Sequence, residues 1–206
     1  MLDKISIAVV LIICYTSMSA KITKSKNPLD TMLKNSHRKI IMDWSPKAAC
    51  SVMVAMFFDS MDIRQGINYT GFVHNYRQEV FYHKYGFVTM EEFLDASWYK
   101  FKVVRNPYAR LVSSYMQVML TYLKGEIFEH NVTLQHDATF EQFVSIYNTE
   151  WFGKSRSFSG LDHVDPQVSE IEWKAYRNND RLFNKIVRLE YFNTDIAKVN
   201  RDTGIG

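Results

Sequence analysis

Apolar residues along this chain come in two alternating styles, short continuous runs and longer stretches at helical spacing. Lys39-Ile40-Ile41-Met42-Asp43 is a short apolar run closed by Pro46, which suits a buried strand. Over 48–60, Val52, Val54, Ala55, Met56, Phe57 and Phe58 are too apolar all round for a surface helix, so a helix here lies against a sheet. Residues 71–86 carry Phe72, Tyr76, Phe81, Tyr82 and Tyr85 and read as a second helix, and Thr89-Met90-Glu91-Glu92 opens a third with a capping box. Trp98 to Val104 alternates as a strand does and ends in Arg105. Pro107 then suits a first helical turn, and Tyr108, Leu111, Val112, Tyr115, Met119, Tyr122 and Leu123 follow at helical spacing. Thr139-Phe140-Glu141-Gln142 is another capping box, and 185–190 is a third buried strand. Strands alternating with helices predict an α/β fold, a P-loop-like parallel sheet covered on both faces by helices. Ligands in such sheets bind beyond the carboxyl ends of the strands.

The first residues follow a different rule. After Lys4 comes the apolar run Ile5 to Cys14, then small and polar residues to Ala20, then Lys21, Lys24 and Lys26. That is the order of a secretory signal, shorter than the roughly 20 apolar residues that span a bilayer. Residues 1–20 therefore read as a signal peptide or signal anchor, cleavable after Ser17-Met18-Ser19 or retained. Residues 21–36 read as a tether, and 37–206 as one domain of ordinary size, about 100–200 residues. Such a protein enters the secretory pathway, and is secreted or held in the membrane. Asn68-Tyr69-Thr70 and Asn131-Val132-Thr133 would be glycan acceptors there.

Composition narrows the chemistry. Of 206 residues, 47% are hydrophobic and 23% charged, as in a globular protein. The net charge of +3 is spread along the chain, which points to no nucleic-acid partner. The two cysteines, Cys14 and Cys50, are poorly placed to bridge each other, and the six histidines are scattered rather than at metal-ligand spacing. No metal is implied.

Two segments carry the chemistry, Ser45-Pro46-Lys47-Ala48-Ala49-Cys50-Ser51 and Arg105-Asn106-Pro107…Arg110…Ser113, each where a strand gives way to a helix. A strand-to-helix turn aims free backbone N–H groups and the positive end of the helix dipole at its ligand, which favours phosphate or sulfate. Lys47 adds a charge, Ala48 and Ala49 let the backbone come close, and Ser51 offers a hydroxyl. The Walker pattern is absent, so a magnesium-dependent NTPase fits poorly. In the second segment Arg105 can grip a phosphate with two parallel bonds and Ser113 can add another. Arg110 reads equally as a site residue or a structural one, and Cys50 as a small packed hydrophobe.

At these residues the chain resembles the Golgi carbohydrate sulfotransferases, the chondroitin, dermatan and HNK-1 type of sulfotransferase family 2. Pro46-Lys47-Ala48-Ala49-Cys50-Ser51 is similar to the family's PKxGC[TS] loop, and Val104 to Tyr115 to its VRDPxxRLVSxY segment. His163-Val164-Asp165-Pro166-Gln167 is similar to HWxPQ, and Phe183 to Glu190 to the YDxIxKxE strand. All four occur in family order. The resemblance implies transfer of a sulfuryl group from 3′-phosphoadenosine 5′-phosphosulfate to a hydroxyl of a glycan or glycoprotein, without a metal. It assigns Pro46, Lys47, Ala48, Ala49, Cys50 and Ser51 to the 5′-phosphosulfate and Arg105 and Ser113 to the 3′-phosphate. Lys47 would also stabilise the leaving phosphate, and His163 would act as base. The resemblance implies a place in the Golgi lumen or, if the N-terminal segment is retained, in the Golgi membrane in type II orientation, which would make the membrane a partner.

Two residues depart from the pattern. Ala49 stands where the family has glycine, a costly exchange if φ is positive there, and Val164 replaces the tryptophan after the histidine. A non-glycan acceptor such as protein tyrosine, and a degenerate member that binds nucleotide or anionic glycan without turnover, remain alternatives.

Overall fold

The computed structural model describes residues 29–123, 138–146 and 167–204. The targeting segment, the Asn131 sequon and His163 lie outside the described residues. Four strands form one sheet in the order β1 (Leu33–Asn35), β2 (Ile40–Trp44), β3 (Tyr99–Val104) and β4 (Lys185–Arg188). β2, β3 and β4 are parallel, and β1 runs antiparallel to β2 at the edge. The fold is therefore α/β, with a sheet flanked by helices as the sequence implies, but its first strand falls inside the stretch read as tether. Leu29, Met32 and Leu33 are buried there. Only a hairpin turn separates β1 from β2, and a connection that short can join only antiparallel strands.

The helices are α1 (Cys50–Asp59), α2 (Arg64–Ile67), α3 (73–85), α4 (Met90–Leu94), α5 (Pro107–Leu123), α6 (Phe140–Ile146), α7 (Glu170–Arg177) and α8 (Phe192–Thr203). α3 is the expected aromatic helix with one departure: Arg77–Phe81 is wound as a π-turn. Both capping boxes read in the sequence form, Thr89 with Glu92 and Thr139 with Gln142, and Ser169 forms a further one with Glu172.

Alternation along the strands sorts side chains onto two faces. Ile40, Met42 and Trp44 of β2, Phe101 and Val103 of β3 and Val187 of β4 share a core with Met53, Val54, Phe57 and Phe58 of α1 and with α3. Ile41 faces the other way, into a second cluster with Leu29, Phe93 and Phe183. Lys100 and Lys102 alternate with apolar residues along β3. Both lysines are nevertheless buried. Lys102 bridges Asp43, its cross-strand partner, at 2.8 Å and Glu172 of α7 at 2.7 Å. Burial, with the charge of Glu172 added, pushes the Asp43 carboxyl up against the pull of Lys102. Lys102 itself is held above its ordinary range by the two carboxylates, despite its burial.

Removing the central cation leaves two buried carboxylates unpaired, which costs more than the pair contributes. Lys102→Met should lower stability at neutral pH by about 3–5 kcal/mol in urea denaturation. The loss should shrink toward acidic pH as the buried Asp43 carboxyl, already pushed up, protonates.

Candidate anion-binding site

β2 and β3 are parallel neighbours, with Trp44 opposite Val103, so both leave the sheet at the same edge. The two segments singled out in the sequence therefore stand side by side. In the first, the Ala48 N–H donates to the Ser45 carbonyl at 3.1 Å, closing a tight turn. Lys47 and Ala49 both adopt the left-handed conformation, at φ 66° and φ 57°. Glycine takes that conformation without penalty and alanine does not. Ala49 is the N-cap of α1, with no side-chain cap and no acidic residue in the first turn. The first helical bond runs from the Met53 N–H to the Ala49 carbonyl. The N–H groups of Cys50, Ser51 and Val52 precede it and have no helical acceptor. An uncapped, acid-free helix start is what an anion requires.

The second turn differs from the sequence-based expectation. Its backbone is already occupied. Arg105 N–H donates to Gln167 Oε1 at 2.8 Å, and Gln167 Nε2 returns a bond to the Arg105 carbonyl at 2.7 Å. Asn106 N–H donates to Glu190 Oε1 at 2.8 Å. Asn106 Oδ1 in turn caps α5 by accepting from the N–H groups of Tyr108 and Ala109, at 3.0 and 3.3 Å. This turn offers an anion side chains only, because Asn106 does for α5 what nothing does for α1.

Those side chains hold the first loop. Arg105 Nη1 donates to the Lys47 carbonyl at 3.2 Å, and Arg110 Nε to the Pro46 carbonyl at 2.8 Å. Lys47 Nζ donates to Gln117 Oε1 at 3.2 Å. Arg110 is buried, so of its two readings the structural one matches what it touches. Ser113 lies between Arg110 and Gln117 on the same helical face, toward the loop. Its hydroxyl has no hydrogen-bond partner among the described residues. Cys50 is a free, half-buried thiol packed against the main core. Burial lowers the Lys47 pKa, partly countered by Cys50, and the nearby Arg105 charge lowers it further. Two cations thus converge on one uncapped helix start.

Ser51 sits in the first turn of α1, and its Oγ is 3.2 Å from Nε2 of His74 in α3. Burial, with the charge of Arg77 added, brings the His74 pKa down to about 4. His74 and Gln117 had no role in the sequence reading, and Gln167 entered it only as the end of the segment similar to HWxPQ. Gln117 was open to detection, being one further helical step from Arg110 and Ser113; a single histidine among aromatics carries no such signal.

The model of the sulfotransferase family matches residues 30–206. The chain belongs to that family. Neither a curated protein nor a solved structure matches it. The match begins before β1, so the hairpin is part of the family domain. The protein is a sulfotransferase, a transferase acting with a sulfo donor. Among the described residues no helix is long and apolar enough to cross a membrane.

Two outcomes are expected. Ala49→Gly relieves the left-handed alanine and should raise stability by about 0.5–1 kcal/mol in thermal or urea unfolding. His74 has a folded pKa near 4 against an ordinary 6.5, so the unfolded chain takes up its proton first. Its contribution is complete above pH 6.5 and is lost as pH falls toward 4. The wild-type unfolding midpoint should fall across that window more steeply than that of His74→Gln.

Proposed function

We propose that this sulfotransferase moves a sulfuryl group from 3′-phosphoadenosine 5′-phosphosulfate to a hydroxyl of a carbohydrate acceptor, in the lumen of the Golgi. The observation that carries the donor is the start of α1, uncapped and free of acidic residues, with Lys47 and Arg105 beside it. The residues fit the nucleotide's two charged ends. The N–H groups of Cys50, Ser51 and Val52 and the Lys47 ammonium suit the 5′-phosphosulfate. Arg105 and the unpartnered Ser113 hydroxyl suit the 3′-phosphate, which sets this donor apart from common nucleotides.

When bound, the donor supplies an activated sulfuryl group. As an acceptor oxygen bonds to sulfur and the bond from sulfur to the phosphate oxygen breaks, negative charge collects on that phosphate. Lys47 stabilises the charge, and the N–H groups of the first turn do the same without moving. The Gln117 amide keeps the Lys47 side chain directed along α5. The acceptor's proton goes to a base, for which His163 is our assignment on its near-neutral ordinary pKa. A glycan or glycoprotein is the acceptor. The N-terminal segment delivers the domain to the lumen, either cleaved or retained as an anchor.

Calorimetry with 3′-phosphoadenosine 5′-phosphate tests the donor site, and transfer of labelled sulfate to a glycan panel tests the reaction. Lys47→Ala should weaken nucleotide binding by about 10- to 100-fold, the range for a hydrogen bond to a charged group. Equal binding with and without Lys47 would remove it from the site. Label on a tyrosine peptide instead of a glycan would reassign the acceptor, and binding without transfer would make the protein a nucleotide binder.

A further inference from the structure

Behind the first turn of α1 lies a buried group of polar side chains that the proposed reaction does not use. His74 is 8% exposed, and Trp44, Arg77 and Tyr82 are buried with it. The imidazole lies 5.3 Å from the Trp44 ring and 5.0 Å from Phe72, centre to centre. The Arg77 guanidinium stands 4.8 Å over Trp44 and 5.9 Å from Tyr82. His74 Nε2 meets Ser51 Oγ, but His74 Nδ1 has no hydrogen-bond partner, and neither has Trp44 Nε1 or the Tyr82 hydroxyl.

The chemistry of these neighbours selects the tautomer. An indole N–H and a guanidinium can only donate, and a phenol donates readily. An Nδ1–H among them would be one more donor facing donors and a positive charge. Apart from the Tyr82 oxygen these neighbours offer donors only, so a bare Nδ1 supplies an acceptor where one is scarce, and it leaves the proton on Nε2. Nε2–H then donates to Ser51 Oγ, so the serine hydroxyl cannot spend its own hydrogen on the imidazole. That hydrogen is free for an anion at the start of α1.

We propose that His74 is a positioning residue: held as the neutral Nε2–H tautomer, it donates to Ser51 and directs the serine hydroxyl hydrogen at the phosphate bound in the first loop. The proposal rests on the donor-site reading above. It concerns Ser51 alone, so its effect vanishes where that hydroxyl is absent. A histidine with a low pKa suits the task, because it stays neutral at working pH.

The test combines binding with a ligand-free measurement on the full chain. Calorimetry with 3′-phosphoadenosine 5′-phosphate compares wild type, Ser51→Ala, His74→Phe, the double variant and His74→Gln, whose amide N–H can replace Nε2–H. The two single variants should each weaken binding, by about 10-fold or more for Ser51→Ala, the scale of one hydrogen bond to a charged group, and by about 5-fold for His74→Phe, the scale of an ordinary one. The double variant should match Ser51→Ala, and His74→Gln should bind better than His74→Phe. In the nucleotide-free protein, nitrogen NMR of the imidazole should show Nε2 protonated and Nδ1 bare. An Nδ1–H imidazole overturns the proposal, as does an equal loss from His74→Phe with and without Ser51. A wild-type chain that binds no nucleotide instead sinks the donor-site reading, and this proposal's ligand with it.

Discussion

The parallel pairing of β2 with β3 is the constraint on which the site depends. Parallel neighbours end at the same edge, so the turns that follow them must emerge together, however far apart their sequences lie. The pairing places Asp43 beside Lys102, and the lysine reaches on to Glu172. Glu172 also forms a capping box with Ser169, two residues after Gln167, and Gln167 clamps the backbone of Arg105. A chain of charged and amide groups therefore runs from the buried face of the sheet to the second turn. Packing alone would hold the layers together; this chain fixes the height at which Arg105 leaves them.

From that arrangement comes an unequal division between the turns. The first keeps its backbone N–H groups unused, at the cost of two left-handed residues and an uncapped helix. The second has every available N–H engaged and presents side chains. An anion seated between them would meet dipoles from one side and the Arg105 charge from the other. The lowered pKa of Lys47 comes chiefly from its burial, with the Arg105 charge adding to it.

Much of this was legible in the sequence. β2, β3 and β4 showed as apolar or alternating runs, and the helices after β2 and β3 showed through an all-round apolar run, Pro107 and helical spacing; α7 and the helix after β4, α8, were not read. β1 did not, because two of its three residues are Lys34 and Asn35. Lys34 is buried through its ion pair with Glu92, 2.7 Å away, a partner that local patterning cannot show. Asn106 before Pro107 is a helix-start signal in its own right; reading only the proline left the turn looking open. The conditional statement about Ala49 was the most informative, since the residue does take the positive φ that its glycine counterpart in the family pattern suggests. The imidazole behind Ser51 needed the fold, because it depends on contacts between α1, β2 and α3 rather than on any spacing.

The account stands or falls on whether the two turns hold opposite ends of one nucleotide. Affinity for 3′-phosphoadenosine 5′-phosphate and for adenosine 5′-phosphate, measured on wild type and Arg105→Ala, asks this directly. The account expects Arg105→Ala to lose about tenfold more on the nucleotide that carries the 3′-phosphate than on the one that lacks it. Equal losses on both would mean that Arg105 only props the loop through the Lys47 carbonyl, and would contradict the shared site.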